Sequence, residues 1–398
     1  MKNHRNIPVN TPLLDGNELK YVTECITTGW ISSEGPFVDK FELALAKYTD
    51  RKHGIAVANG TAALDIAFSA IGLKKGDEVI LPSHTIISCI LQIIRIGAIP
   101  VLVDSELKTW NMDVDEIESK ITSKTKVILA VHLYGLPCRI DKIIEIADKH
   151  NLYVIEDAAQ MIGQTFNGKQ CGSFGHISTT SFYPNKQVTT GEGGMCLTND
   201  EELANKCRSF RNLCFQNEFR FVHKELGWNY RMTNIQAAIG LAQVEKLDEH
   251  IDLKRKIGDK YSKLLKDINS FNLPLKETEY AKNIYWVYGI FLNENSKYNA
   301  KEAMFLLQEA GIATRPFYYP MHLQPVFKEC NSYINGVSKD LFNRGLYLPS
   351  GTNMTIEDLL MKGHGFKEGA YKYKAVVFRM KEDRTEKDSL SQVYDVDI

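Results

Sequence analysis

No apolar run in the 398-residue chain approaches the roughly 20 residues that a membrane-spanning helix needs, so no transmembrane segment is expected. An excess of either charge is missing too. The 48 basic and 49 acidic side chains leave a formal net charge of −1, which gives no electrostatic case for nucleic acid or an anionic membrane surface. Internal repeats and low-complexity tracts are absent. The eight cysteines (Cys25, Cys89, Cys138, Cys171, Cys196, Cys207, Cys214, Cys330) include no Cys-x-x-Cys pair, so no metal or redox site is expected and they read as reduced core thiols. The start, Met1-Lys2-Asn3-His4-Arg5-Asn6, has no apolar signal core before Ile7-Pro8-Val9, and the expected location is the cytoplasm. At this length the chain can bury a sizeable core.

Short apolar runs alternate with longer amphipathic stretches. Glu78-Val79-Ile80-Leu81-Pro82 is followed by a helical run from Thr85 to Ile96 and then by Ile99 to Asp104. Lys126 to Val131 is followed by a helix near Asp141 to His150 and by a strand ending at Asp157. That rhythm belongs to βαβ units, and it predicts an α/β fold with a mostly parallel, doubly wound sheet in a large domain over residues 10–245. A charged amphipathic stretch, Val244 to Ile268, then leads to a strand-like Tyr285 to Phe291, a helix and a second strand near Tyr347, which predicts a smaller C-terminal α+β domain over 246–362. Residues 363–398 form an atypical tail. Within it Tyr371 to Phe378 reads as a strand, and Met380 to Ile398 is polar enough for partial disorder.

Lys186 stands in Ser181-Phe182-Tyr183-Pro184-Asn185-Lys186-Gln187-Val188-Thr189-Thr190-Gly191-Glu192-Gly193-Gly194, between a strand and a glycine-rich turn, where a lone lysine has little structural reason to be. Upstream, Leu152-Tyr153-Val154-Ile155-Glu156-Asp157 delivers a carboxylate at the C-terminal end of a buried strand, the edge where α/β sheets place ligands. Asn59-Gly60-Thr61, ahead of the helical run Ala62 to Phe68, aims free backbone N–H groups at an anion. Lysine, aspartate and anion cup together suit pyridoxal phosphate, which needs an amine for a Schiff base, an acid to hold the ring nitrogen's proton, and a phosphate site. Singly, each has a commonplace alternative: a solvated lysine, an N-cap aspartate, a turn. Their order and spacing favour the cofactor.

Four separated segments carry a family resemblance: Gly29-Trp30-Ile31-Ser32-Ser33, Glu156-Asp157-Ala158-Ala159-Gln160, Ser181 to Gly194, and Asn229-Tyr230-Arg231-Met232-Thr233-Asn234-Ile235-Gln236-Ala237-Ala238. Over about residues 7–350 the chain resembles the DegT/DnrJ/EryC1/StrS nucleotide-sugar aminotransferases, a fold-type I group. The resemblance implies a fold-type I pyridoxal phosphate-dependent transferase, a homodimer with shared active sites, and a cofactor that alternates with its pyridoxamine phosphate form. It makes Lys186 the Schiff-base lysine and proton shuttle, and Asp157 the partner of the pyridinium. Gln160 would lie near the cofactor's phenolic oxygen or ring face. Gly60, Thr61 and Ser181 would hold the phosphate, with Asn229 reaching it from the neighbouring subunit. Ile86 stands where relatives carry a Tyr or Phe stacked on the ring. It lacks an aromatic contact worth about 0.5–1.5 kcal/mol beyond burial. His84 beside it reads as a surface loop histidine.

On the substrate side, Trp30, Ser32 and Ser33 fall where relatives contact the sugar or cofactor-bound product, and Arg315 with His322 where they meet sugar or diphosphate. A guanidinium fork suits a diphosphate, while an ion pair bracing the small domain is the alternative for Arg315. Tyr318 and Tyr319 read as packing. The family's 3-dehydratases carry histidine where this chain has Lys186, so the resemblance implies transamination, with L-glutamate as donor and C4 of a nucleotide-linked 4-keto-6-deoxyhexose as acceptor. His132-Leu133-Tyr134-Gly135, Trp30-Ile31-Ser32-Ser33 and Thr314 to His322 resemble most the branch that acts on GDP-4-keto-6-deoxymannose in surface-polysaccharide biosynthesis. A UDP- or dTDP-linked 4-keto-6-deoxyglucose, or a 3-keto sugar, stays open. So does a non-catalytic cofactor-binding regulator, against which stand the intact Lys186, Asp157 and Gln160 and the lack of a basic helix-turn-helix segment.

Overall fold

The computed structural model describes residues 7–216, 218–294, 296–327, 334 and 336–354; the expectations for the tail 363–398 and for the last residues of the small domain lie outside them. Among the described residues no helix is long and apolar enough to cross a membrane. The first strands are β1 (His53–Val57), β2 (Glu78–Pro82), β3 (Ile99–Val103), β4 (Thr125–Val131) and β5 (Tyr153–Asp157). A two-stranded ribbon, β6 (Thr165–Phe166) with β7 (Lys169–Gln170), precedes β8 (Ile177–Ser181) and β9 (Gly194–Thr198). The large sheet runs in the order β1-β9-β8-β5-β4-β2-β3. Strands β3, β2, β4, β5 and β8 are parallel, and β9 is antiparallel to both β8 and β1.

Alternation along β4 explains why this sheet is covered on both faces. Val127, Leu129 and Val131 join one core with Leu81 and Ile155, while Ile128 and Ala130 join another with Ile80 and Val154. A run apolar at both parities has to be sandwiched. The helices that do so are α1 (Glu18–Thr28), α2 (Pro36–Tyr48), α3 (Gly60–Ala70), α4 (Ser88–Ile96), α5 (Ile140–His150), α6 (Glu201–Arg211) and α7 (Asn234–Glu245). Buried residues of α3, α4 and α6 complete the first core, and those of α5 complete the second. Local chemistry sets the helix starts. Asn59 accepts the Ala62 N–H at 2.9 Å ahead of α3, and Thr233 with Gln236 closes a capping box at α7. The seven described cysteines are free and buried, six of them in the hydrophobic cores.

The 19-residue α8 (Leu247–Leu265) leads to an antiparallel four-stranded sheet. Its strands are β10 (Phe271–Asn272), β11 (Tyr288–Leu292), β12 (Arg315–Pro316) and β13 (Gly345–Leu348), in the order β10-β11-β13-β12, accompanied by α9 (Ala300–Glu309) and α10 (Val337–Arg344). One buried carboxylate ties α10 to the large sheet. Asp104, just past β3, accepts N–H groups from Gly336 (2.8 Å), Val337 (3.0 Å) and Ser338 (2.8 Å), and it also accepts the Ser338 hydroxyl. It therefore caps α10 from a distant part of the chain, supplying acceptors for orphan first-turn donors. Gly336, at φ 105°, takes the left-handed conformation that opens the helix at no side-chain penalty. Asp104→Ala leaves those donors buried and unpaired. We expect it to destabilise the protein by about 2–3 kcal/mol, read as a lower urea midpoint with an unchanged slope; an unchanged midpoint would show that α10 is held by other contacts.

Candidate active site

A cavity of about 600 Å³ opens where β5 and β8 end and α3 begins. Asp157 closes β5, Ser181 closes β8, Lys186 sits in the turn that follows, Gly60 and Thr61 form the first turn of α3, and Ile86 precedes α4. With Gln160, these seven of the thirteen residues named from sequence line one cavity. Gly60 has a steric reason to be glycine. A Cβ there would meet the Ser181 Cβ at 2.8 Å, so only glycine lets the start of α3 come this close to the end of β8. Thr61 Oγ1 and Ser88 Oγ share a hydrogen bond at 2.8 Å on the same wall.

Lys186 Nζ lies 4.0 Å from the centre of the Trp286 ring. Burial disfavours its cation and, although Asp157 and Cys89 pull the other way, lowers its pKa to about 8. Asp157 is shifted in the opposite sense. Burial raises its pKa, partly offset by the Ala159 N–H bonded to Oδ1 at 3.0 Å, by Lys186, and by the Cys89 thiol that approaches Oδ2 at 3.4 Å. Gln160 is pinned at both ends of its amide: Oε1 accepts the Tyr134 N–H at 2.8 Å, and Nε2 donates to the Tyr318 hydroxyl at 3.1 Å.

Glu156, next to Asp157, points to the opposite face of the strand and is already saturated. Its oxygens accept from His132 Nε2 (3.1 Å), Gly172 N–H (2.7 Å), Phe174 N–H (2.8 Å) and the Ser178 hydroxyl (2.8 Å). Glu156, His132 and Cys171 hold potential metal donors within 4.8 Å of one another. With four protons already on the carboxylate, the group is a hydrogen-bonded knot that anchors β5.

His84 corrects the sequence expectation. It is fully buried, with Nε2 at 3.0 Å from the Tyr134 hydroxyl and its ring among Tyr134, Phe317 and Tyr318. Aromatic residues distant in sequence cover a histidine that looks exposed when only its own loop is read. Burial lowers its pKa to about 3, so it is neutral near pH 7.

Six sequence-named residues stand outside this cavity's lining. The carbonyls of Trp30 and Ser32 accept from the Asn234 side chain and backbone at 2.7 Å each, Ser33 follows them in the chain, and Asn229 Oδ1 accepts from Arg231 at 2.9 Å. Arg315 is exposed, donates to the Thr314 carbonyl, and forms no ion pair among the described residues; His322 Nδ1 meets the Ser83 hydroxyl at 2.7 Å. Trp286, Tyr183, Tyr318 and Tyr347 line the cavity without having been singled out as site residues. From sequence, Tyr318 reads as packing and Trp286 and Tyr347 only as strand residues; Tyr347 is in β13, but β11 starts at Tyr288 and leaves Trp286 in the turn before it, and an aromatic in either setting carries no mark of what its face will meet.

The lining fits pyridoxal phosphate. An amine of near-neutral pKa, a buried carboxylate and a helix N-terminus converge, and Thr180 Oγ1 and Asn185 Oδ1 are buried on the same wall without a partner. Fold and site together define a fold-type I pyridoxal phosphate-dependent transferase. The DegT/DnrJ/EryC1/StrS aminotransferase family matches residues 12–361, and the chain belongs to it. It is 43% identical over 354 residues to the GDP-perosamine synthase of Escherichia coli O157:H7, covering 89% of this chain and 96% of that protein. Against the GDP-perosamine synthase of Caulobacter vibrioides it is 42% identical, covering 89% and 95%. A crystal structure of a DegT DnrJ EryC1 StrS aminotransferase from Brucella abortus superposes with a TM-score of 0.78 at 31% identity, covering 86% of this chain and 92% of that one.

The lowered pKa of Lys186 has a measurable consequence. In the cofactor-free protein a small amine-reactive reagent should label Lys186 with a midpoint near pH 8, read by peptide mass spectrometry; a midpoint near the ordinary 10.5 would contradict this reading of the cavity. The sign for stability follows. The unfolded amine titrates near about 10.4, so between about pH 8 and 10 the unfolded chain binds more protons and this group makes stability rise with pH.

Proposed function

We propose that the enzyme transfers the amino group of L-glutamate to C4 of GDP-4-keto-6-deoxymannose, giving GDP-perosamine and 2-oxoglutarate for surface-polysaccharide synthesis in the cytoplasm. The observation that carries the transamination is the Lys186 amine held in the cavity beside Asp157. The sugar assignment is supported by the likeness to the two GDP-perosamine synthases over nearly their whole length. In the same reading the chain divides into a cofactor-binding unit over 10–245 and a smaller unit from 246.

The bound cofactor supplies an electron sink for the carbon that loses a proton. Lys186 Nζ takes that proton from the donor carbon and returns it to the acceptor carbon, which requires a neutral amine; a pKa near 8 leaves a usable neutral fraction around pH 7 to 8. Asp157 holds the proton of the ring nitrogen, its carboxylate kept in place by the Ala159 N–H. The N–H groups that open α3, with Thr61 and Ser181, would hold the phosphate. Gln160, fixed by Tyr134 and Tyr318, offers a rigid amide edge. Ile86 and Trp286 are apolar parts of the cavity lining, and the Trp286 ring lies against the amine.

The active form in this reading is a homodimer with shared sites. Trp30, Ser32, Ser33 and Asn229 stand outside their own chain's cavity. Trp30 is 52% exposed, and Leu19 and Ile26 on α1 are exposed as well, apolar side chains that a second copy would cover. Asn229 then reaches the partner's phosphate, and Arg315 with His322 meets the sugar or diphosphate.

The test supplies the purified, cofactor-loaded enzyme with L-glutamate and each of GDP-4-keto-6-deoxymannose, dTDP-4-keto-6-deoxyglucose and UDP-4-keto-6-deoxyglucose, with products identified by mass and NMR. We expect a C4 amine on the GDP sugar and a kcat/KM at least about tenfold above the others, some 1.4 kcal/mol of discrimination. Preference for another nucleotide would overturn the sugar assignment, and a 3-deoxy keto product with the donor nitrogen released as ammonia would overturn transamination.

A further inference from the structure

The reaction as described makes no use of one buried lysine. Lys254 on α8 is 2% exposed, and Nζ donates to the Trp286 carbonyl at 2.9 Å and to the Ser350 carbonyl. No carboxylate among the described residues pairs with it, and burial alone lowers its pKa to about 7. An unpaired ammonium is expensive to bury, and an apolar side chain would fill the same helix position without that penalty. What Lys254 has that an apolar residue lacks is the ability to hold two carbonyls at once.

One of those carbonyls follows a strained turn. Tyr285 has φ 48°, left-handed backbone that an aromatic residue rarely adopts, and such outliers persist only where their surroundings hold them. Asn283 Oδ1 accepts the Tyr285 N–H at 2.7 Å on one side, and Lys254 grips the Trp286 carbonyl on the other. The helix cannot slide to accommodate a change here, because a Cβ at Gly258, one turn beyond Lys254, would lie 2.2 Å from the Tyr285 ring. Beyond the turn, the Trp286 indole reaches the cavity. Its Nε1 donates to the Asn185 carbonyl at 2.8 Å, and its face lies against Lys186 Nζ.

We propose that Lys254 is a positioning residue for the reaction: by bonding the carbonyls of Trp286 and Ser350 it fixes the strained Tyr285–Trp286 turn, and with it the indole wall against which Lys186 lies. The proposal rests on the role given to Lys186 and is independent of which sugar is aminated. Without the clamp the turn relaxes, the indole withdraws, and water reaches the lysine that carries the chemistry.

The experiment is the pH dependence of Lys186 labelling in cofactor-free protein, so it reads the amine and not turnover. Lys254→Met is expected to raise the midpoint from near 8 by about one unit as the amine becomes better solvated. Trp286→Phe, which removes the indole N–H and part of the wall, is expected to shift it in the same direction. In the Trp286→Phe background Lys254→Met should add less than it does alone, since both act through one side chain. A wild-type midpoint in folded Lys254→Met, or shifts that add in the double variant, would overturn the proposal. Where Lys254→Met does not fold, Trp286→Phe keeps it testable, because that variant leaves Lys254 in place and a wild-type midpoint in it would overturn the proposal equally. Failure of the sugar assay with a shifted midpoint would count against the substrate and not against the clamp.

Discussion

Two ionisable groups at one sheet edge, the half-buried Lys186 amine and the buried Asp157 carboxylate, are the constraint on which the site depends. Each is shifted toward its neutral form by burial, and each draws the other part of the way back toward charge. An amine in water would be protonated at neutral pH and unable to move protons. A site that desolvates an amine must therefore be walled on several sides, and the walls come from parts of the chain far apart in sequence: Ile86, the strand ends at Asp157 and Ser181, and Trp286.

The parallel sheet makes this possible. Because β5 and β8 run in the same direction, their C-terminal ends deliver Asp157 and Ser181 to one edge, and the opening turn of α3 meets them there. Strand alternation separates chemistry from scaffolding in adjacent residues. Asp157 faces the cavity, while Glu156 is consumed by His132, Gly172, Phe174 and Ser178 on the other face. His132 belongs to the scaffold: burial opposes its charge, but Cys138 and Glu156 raise its pKa to about 10. The C-terminal part of the chain is fastened to this edge at several points, among them Asp104 on α10, the Trp286 indole on the Asn185 carbonyl, and Tyr318 on Gln160.

What the sequence made legible was whatever is encoded locally. The apolar runs of β4 and β5, the Asn59 cap and the lysine after β8 each carry their signal within about ten residues, and the order of Asp157 and Lys186 along the chain completes the cofactor chemistry. Contacts between distant segments were not legible. Trp286 meets Asn185 across 101 positions, and nothing in a strand-like Tyr-Trp-Val-Tyr marks which ring turns to the cavity. His84 was misread for the same reason, since the aromatic rings that bury it come from 134, 317 and 318. Trp30, Ser32, Ser33 and Asn229 were named through family resemblance, and in the single chain they stand outside the cavity.

The most direct test of the central claim is to locate the covalent bond to the cofactor. Borohydride reduction of the pyridoxal phosphate-loaded protein, followed by proteolysis and mass spectrometry, should place the phosphopyridoxyl group on Lys186 at close to one per chain. Its appearance on another lysine, or on none, would contradict the account of how this cavity is built.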